Sequence, residues 1–306
     1  MIDVSVIIPH KNCVDLLIRC IKTIPNTHNI EIIVVDDNSN NQNFLKVELE
    51  ALHYQNLNLI LTHEGKGAGF ARNQGLKLAK GNWLCFSDSD DLFTTNAFSI
   101  MEKYFSSDND IIYFRHDSVY SDTLLPCIRF DERNEIIDGC VKNKSLDNLN
   151  NLRFKDAVPW AKMFRKDLVI QNNIFFDEVP ASNDVMFVMK AGFYAKSVDC
   201  SCEILYTTTY RKGSITRVKS LENMYSRFCV ALRYNEFVKA HGYPQFTKKL
   251  FGHFLAVFRA YGIKEAMRFV KTAHKHHQWL FTGGIYSIAT LRRKIENLKK
   301  KDNYKG

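Results

Sequence analysis

Trp83-Leu84-Cys85-Phe86-Ser87-Asp88-Ser89-Asp90-Asp91 is the stretch on which the reading of this chain turns. Four apolar residues in a row read as a buried strand. Three carboxylates in the next five positions would repel one another unless positive charge sits between them. A hard divalent cation with oxygen ligands, Mg²⁺ or Mn²⁺, relieves that repulsion and suits a substrate diphosphate. A solvated acidic turn is the competing reading, because Asp and Ser favour turns on their own.

Working outward, the first hundred residues alternate strand and helix. Strands are expected over residues 4–8, 31–35, 57–61 and 82–86, and helices over 14–24, 43–54 and 69–79. This rhythm predicts a mostly parallel sheet covered by helices on both faces. Right-handed crossovers bring the strand ends to one edge, outside which ligands bind. Polar residues collect at those ends: Pro9-His10-Lys11-Asn12, Asp36-Asp37-Asn38-Ser39, Glu64-Gly65-Lys66-Gly67 and Asp88–Asp91. Two of the four loops carry adjacent acids, a convergence that favours a nucleotide and metal site over four separate turns.

The middle of the chain is less regular. A strand is expected at 111–114, then a polar stretch over 115–156 with a turn signal at Asp138-Gly139. Helices are expected at 165–171 and 185–194, the second opened by Asn183-Asp184. Alone, that pair reads as a helix N-cap. From about residue 220 the chain reads as helical and basic.

The apolar fraction of 45% and charged fraction of 25% are ordinary for a globular protein. Met1-Ile2-Asp3 runs into a strand with no basic signal region, and no apolar stretch nears the ~20 residues that span a bilayer. The eight cysteines lack zinc-finger spacing, so the expectation is a cytoplasmic protein with reduced thiols. Residues 206–306 hold 21 Lys and Arg against 5 Asp and Glu, whereas residues 1–205 hold 21 against 28. An acidic body with a basic end suggests a second task for the C-terminal third.

In order and spacing, four blocks resemble the family-2 inverting glycosyltransferases of the GT-A fold, mostly bacterial enzymes of surface-polysaccharide synthesis. They are Val4-Ser5-Val6-Ile7-Ile8-Pro9-His10-Lys11-Asn12, Ile33-Val34-Val35-Asp36-Asp37-Asn38-Ser39, Gly67-Ala68-Gly69-Phe70-Ala71-Arg72-Asn73-Gln74-Gly75 and Phe86-Ser87-Asp88-Ser89-Asp90-Asp91. A looser fifth match is Trp160-Ala161-Lys162 followed by Asn183-Asp184. The resemblance implies an α/β GT-A catalytic domain over residues 1–215, with a nucleotide-binding half (1–105) and an acceptor half (106–215). A basic helical region over 216–306 follows.

It also implies roles. Asp37 resembles the residue that bonds the nucleotide base, with Pro9 and His10 beside the base and Arg72 near the base or phosphates. Asp88 and Asp90 resemble the metal-binding Asp-x-Asp, with Asp90 the more direct ligand and Asp88, with Ser89, nearer the sugar or ribose. Asp184 stands where the family places its general base, preceded here by Asn183 instead of the usual Glu. Trp160, Lys162 and Asn183 fall to the acceptor site. Tyr210-Arg211-Lys212-Gly213-Ser214 resembles a segment closing on the diphosphate through Arg211, Lys212 and Ser214. The expected reaction moves a sugar from a nucleotide-diphosphate donor, UDP by family habit, to a saccharide or lipid-linked saccharide hydroxyl with inversion.

Two rival functions compete. A sugar-phosphate nucleotidyltransferase would place a glycine-rich loop after the first strand, where Pro9-His10-Lys11-Asn12 has no glycine. A nucleic-acid-binding protein would suit the basic end, but no zinc-finger or RNA-recognition motif supports it, and nucleic acid is not the expected partner. The basic region is expected either to dock on the anionic inner face of the plasma membrane, where a lipid-linked acceptor lies, or to pack as a helical subdomain or homo-oligomer contact.

Overall fold

The computed structural model describes residues 1–211 and 220–280. The chain divides into two compact units, Met1–Val218 and Lys219–Gly306. The first opens with a strict alternation: β1 (Val4–His10), α1 (Val14–Ile21), β2 (Ile30–Asp37), α2 (Gln42–Glu50), β3 (Leu57–Thr62), α3 (Ala68–Leu78) and β4 (Trp83–Phe86). Then come β5 (Leu92–Phe93), α4 (Ala97–Glu102), β6 (Ile111–Tyr120), α5 (Asp131–Lys142), α6 (Leu146–Lys155), β7 (Lys162–Arg165), α7 (Lys166–Gln171), α8 (Val185–Tyr194) and β8 (Val198–Tyr210).

Among the described residues these strands form one sheet in the order β3-β2-β1-β4-β7-β6-β8-β5. Every position of β1, β2 and β4 is buried. That is why they read as continuous apolar runs instead of alternating ones: helices cover both faces. On one face Val6, Ile8, Val34 and Cys85 meet Leu17 and Cys20 of α1 and Leu45 and Leu49 of α2. On the other, Ile7, Val35 and Phe86 meet Ala71 and Leu76 of α3 and Phe187 and Val188 of α8. Strands β1 to β4 are mutually parallel where they pair, β7 runs antiparallel to both β4 and β6, and β8 returns parallel to β6. The carboxyl ends of β1, β2, β3, β4, β6 and β8 therefore share one edge.

Two expectations for the middle need correction. Asp138-Gly139 is no turn but lies inside α5, and the Gly139 carbonyl is satisfied by Asn143 N and Asn148 Nδ2 at 3.1 Å each. The thirteen-residue β8 has no counterpart in the sequence reading; its Cys, Ser and Thr content hides a strand that its pairing with β6 specifies.

The second unit pairs α9 (Leu221–Ala240) with α10 (Phe251–Lys275). Ser220 caps α9 by accepting from Asn223 N. Met224, Phe228 and Leu232 of α9 pack on Phe254, Val257 and Phe269 of α10. Gly262 interrupts α10 with φ 81° and ψ −179°. Among the described residues no helix is long and apolar enough to cross a membrane.

Close packing of α8 on α6 depends on Gly192. A Cβ there would sit 2.7 Å from the Arg153 carbonyl oxygen and 3.0 Å from its Cα. The Arg153 guanidinium in turn donates to the carbonyls of Gly192 (2.7 Å) and Ala195 (2.6 Å) at the end of α8. Gly192→Ala is expected to destabilise the fold by about 1–3 kcal/mol through overpacking, read as a lower urea midpoint at unchanged slope.

Candidate active site

The shared sheet edge assembles in layers. At the end of β1, His10 is no loop residue: it is the last residue of the strand, buried, with Nδ1 2.8 Å from Asp36 Oδ1. Its Nε2 accepts from the Cys13 amide at 3.1 Å. Asp36 is held by Ser39 N (2.9 Å) and Gln42 Nε2 (2.8 Å) as well. Burial pushes its carboxyl up, but these bonds outweigh burial and hold it below the usual range. His10 and Asp36 thus brace the loops from within, beside Pro9, which is buried in the same strand.

Asp37 differs. Its Oδ2 accepts from Gly67 N (2.9 Å) and Lys11 Nζ (3.3 Å), while its Oδ1 is buried with no hydrogen-bond partner. A buried unsatisfied carboxylate oxygen is costly and marks a place for a ligand donor. Gly67 reaches Asp37 from the N-cap of α3 with φ 91°, a left-handed backbone that suits glycine.

The three acids after β4 divide by partner. Asp91 is buried; its Oδ1 accepts from Thr209 N at 2.6 Å and its Oδ2 from the Tyr206 hydroxyl at 3.1 Å. Burial, then the charges of Asp90 and Asp88, push its carboxyl well up. Asp88 pairs with Arg72 Nη2 at 2.5 Å, and its amide donates to the Tyr206 hydroxyl at 2.9 Å. The Asp90 carbonyl accepts from Thr209 Oγ1 (2.8 Å) and Arg19 Nη2 (3.0 Å). Its carboxylate makes no hydrogen bond to another residue among the described residues. Burial and the neighbouring Asp88 raise the Asp90 carboxyl against the pull of Arg211. Ser89, buried between them, has Oγ 3.2 Å from Cys13 Sγ.

This donor set suits a cation shared with a ligand. Among the described residues no three His, Cys, Asp or Glu side chains converge into a complete cage. One outward acid, Asp90, and a second within reach, Asp88, leave most coordination positions to diphosphate oxygens and water, as Mg²⁺-type sites do.

Arg72 ties this acidic loop to the second half. Its buried guanidinium gives Nη2 to Asp88 and Nη1 to Asn183 Oδ1 (2.9 Å), and lies 5.3 Å from the Phe176 ring centroid. Next to Asn183, Asp184 occupies the N-cap of α8, but its side chain makes no capping bond. The structure thus sets aside the capping role that the sequence alone allowed, and leaves a half-buried carboxylate where the helix N-terminus favours negative charge. Ser182, just before, holds a left-handed φ of 60°, as Ala161 does at 52°. Such outliers cluster at sites that geometry overdetermines.

Two expected acceptor residues sit deeper than that role requires. Lys162 is buried, its Nζ 2.9 Å from Asp156 Oδ1 and bonded to the Val158 carbonyl. Arg133 shares Asp156 at 3.0 Å. Burial lowers the Lys162 ammonium to about 7 against Asp156, and the charge of Asp184 also reaches it. Buried among protein atoms, Lys162 braces Asp156 together with Arg133. Trp160 is buried too, stacked on Tyr206 with ring centroids 5.4 Å apart at 10°. Arg211 stands exposed after β8. Lys212 and Ser214 lie outside the described residues. Sequence reasoning missed Tyr206, Thr209, Arg19 and Arg133, none of which belongs to a spaced motif.

Residues 5–171 match the family model described as glycosyl transferase family 2. The chain belongs to glycosyl transferase family 2. Among family-2 relatives, the uncharacterized glycosyltransferase YibD of Escherichia coli is 25% identical over 96% of this chain and 87% of its own length. The poly(ribitol-phosphate) beta-glucosyltransferase of Bacillus spizizenii is 29% identical over 66% of this chain, which spans only 31% of that longer protein. The solved structure of Staphylococcus aureus TarS 1–349 in complex with UDP-GlcNAc superposes with a TM-score of 0.61 at 18% identity, covering 93% of this chain and 95% of that one. The fold of this family-2 glycosyltransferase is therefore GT-A, as its sequence blocks implied.

The Tyr206 hydroxyl joins Asp88 N, Asp91 and Ser87 Oγ (3.1 Å). Tyr206→Phe should cost about 1–3 kcal/mol by leaving buried groups unpaired. It should also weaken donor binding in a titration calorimeter, although no ligand atom need touch the lost oxygen.

Proposed function

We propose that this glycosyltransferase moves a sugar from a nucleotide-diphosphate donor, UDP-linked, to a saccharide or lipid-linked saccharide hydroxyl, with inversion and with Mn²⁺ or Mg²⁺ as cofactor. The observation that carries the reading is the fork of Arg72, which brings the Asp88–Asp90 loop and the Asn183-Asp184 corner to one place. TarS has been solved with UDP-GlcNAc, and a Pyrobaculum calidifontis mannosyltransferase (TM-score 0.55, 15% identity, 96% of this chain and 79% of that one) with GDP-Man and Mn²⁺. Both complexes support a nucleotide-sugar donor, and the second a cation.

The unpartnered Oδ1 of Asp37 accepts an N–H of the base, with Pro9 alongside. Asp90 and Asp88 hold the cation. A divalent ion bound there supplies positive charge against the negative charge gathering on the departing diphosphate. Arg211, whose charge already acts on Asp90, adds to it from the end of β8. Lys212 and Ser214 would act in the same closing segment. The transition state resembles an oxocarbenium ion, as in glycoside hydrolysis. An acceptor hydroxyl is a poor nucleophile, and Asp184 takes its proton as general base. Asn183 adds no second carboxylate there. Its carboxamide oxygen is occupied by Arg72, so it orients the corner. Attack opposite the leaving group inverts the anomeric carbon.

Two substitutions separate the roles. Asp184→Asn is expected to keep donor affinity and lose transfer by about 10²–10⁴-fold; near-normal turnover would refute the base assignment. Asp90→Ala is expected to abolish metal-dependent release of UDP from the donor while the melting temperature stays unchanged or rises, because a repelling acid is removed. Were pyrophosphate formed from UTP instead, the nucleotidyltransferase reading would replace this one.

The pH dependence follows from Asp90. Its carboxyl is raised, and only the ionised form holds a cation, so Mn²⁺ affinity is full above that raised value. Affinity should be lost on acidification at a higher pH than an ordinary aspartate would show. Asp90→Asn should flatten the Mn²⁺ titration across the same range.

A further inference from the structure

The second unit carries a feature that glycosyl transfer does not use. Helix α10 breaks at Gly262, whose φ of 81° would strain any other residue. The two arms keep their inner faces, Phe254 and Val257 before the break and Phe269 after it, in the core shared with α9. The break itself points the other way. Arg259, Ala260, Tyr261, Gly262, Ile263 and Lys264 are all exposed, six in succession.

The chemistry of this elbow is graded. At its tip Tyr261 is 42% exposed and Ile263 52%, with Met267, 42% exposed, one turn on. Cations bracket it: Arg259 on one side, Lys264 on the other, and Lys271 beyond, none of them in an ion pair among the described residues. The one acid nearby, Glu265, is already taken by Arg268 at 2.7 Å. Over residues 220–280 the chain holds ten Lys and Arg against three Glu. Exposed apolar side chains scattered singly need no explanation. An apolar tip ringed by unpaired cations, set on a left-handed kink, calls for an apolar layer beneath a negatively charged one.

We propose that the Gly262 elbow is a membrane contact: Tyr261, Ile263 and Met267 enter the boundary between headgroups and acyl chains, and Arg259, Lys264 and Lys271 meet anionic lipid headgroups. Charge complementarity selects this occupant. A second copy of the elbow would set cation against cation, and an acidic protein surface would leave the apolar tip without a partner. Interfacial binding of this kind scales with buried apolar area plus attraction to anionic lipid. The contact is independent of the transfer reaction, since it needs neither donor nor acceptor.

The test is co-sedimentation of the full chain with vesicles of phosphatidylcholine alone and of phosphatidylcholine with phosphatidylglycerol. The parent should partition onto the anionic vesicles only, and less at high salt. Ile263→Asp, and separately Arg259→Glu with Lys264→Glu, should lower that partitioning by about tenfold or more with unchanged thermal melting. Leu78→Asp, an equally exposed apolar position on α3, should leave it unchanged. Elbow variants that bind like the parent would overturn the proposal and move the contact to another basic segment. Equal binding to neutral vesicles would overturn it as well. So would elbow variants that turn a dimer into a monomer without altering vesicle binding, which would make a second copy the occupant. Because binding is read without substrate, its failure leaves the transfer reading untouched, and loss of transfer activity leaves the membrane contact untouched.

Discussion

One buried guanidinium holds the two halves of the catalytic unit to a common frame. Arg72 faces Asp88 at 2.5 Å and Asn183 at 2.9 Å, with its Cζ 5.3 Å from the Phe176 ring centroid. Arg72 is buried but the Asp88 side chain is 38% exposed, so solvent screens the pair and it adds little net stability. Its value is positional, because the planar fork tolerates few geometries. The loop after β4 belongs to the parallel half of the sheet, and the corner before α8 to the irregular half. The fork adds a side-chain link between them to those made by the core shared with α8 and by Asn73, whose carboxamide bonds Phe176 N and O at 2.9 and 3.0 Å.

The neighbouring acids show how the structure divides one chemical problem. Three carboxylates within four residues would repel if all faced the same way. Asp91 turns inward to Thr209 and Tyr206, Asp88 pairs with Arg72, and the Asp90 carboxylate makes no hydrogen bond to another of the described residues. A second buried set, Arg133, Asp156 and Lys162, places two cations on one carboxylate. Burial lowers the Lys162 ammonium, against the pull of the Asp156 carboxylate beside it.

Much of this was legible in the sequence for a physical reason. Strands buried on both faces must be apolar throughout, so β1, β2 and β4 announce themselves, and their ends mark the ligand edge. Asp37, Arg72, Asp88, Asp90 and Asp184 stand at those ends or in spaced blocks. The rest depended on tertiary partners. β8 reads as polar because it draws its strand character from β6, and with it went Tyr206 and Thr209. Lys162 is a surface residue by type, and partners that spacing does not reveal, Asp156 and the Val158 carbonyl, account for its burial. His10 looked like a loop residue because the bond from Asp36, on another strand, cannot be read from spacing. Gly139 looked like a turn because helices carry glycine at a cost of about 1 kcal/mol, which packing of α5 here overrides.

The anchoring of the acidic loop by β8 also bears on the order in which the protein comes into being. Asp91 waits for Thr209, 118 residues later, and the amide of Asp88 waits for Tyr206 across the same number. Domains generally fold as units during synthesis, N-terminal segments first. The parallel strands β1 to β4 can pair while the ribosome is still translating the rest of the unit. Asp91, however, and the backbone of the loop around it, lack their partners until β8 has emerged and closed against β6. A nascent chain therefore carries the four sequence blocks of the sheet edge well before their loops are held in place, and a truncation inside β8 would leave a polypeptide that looks like an enzyme and lacks the anchors of its acidic loop.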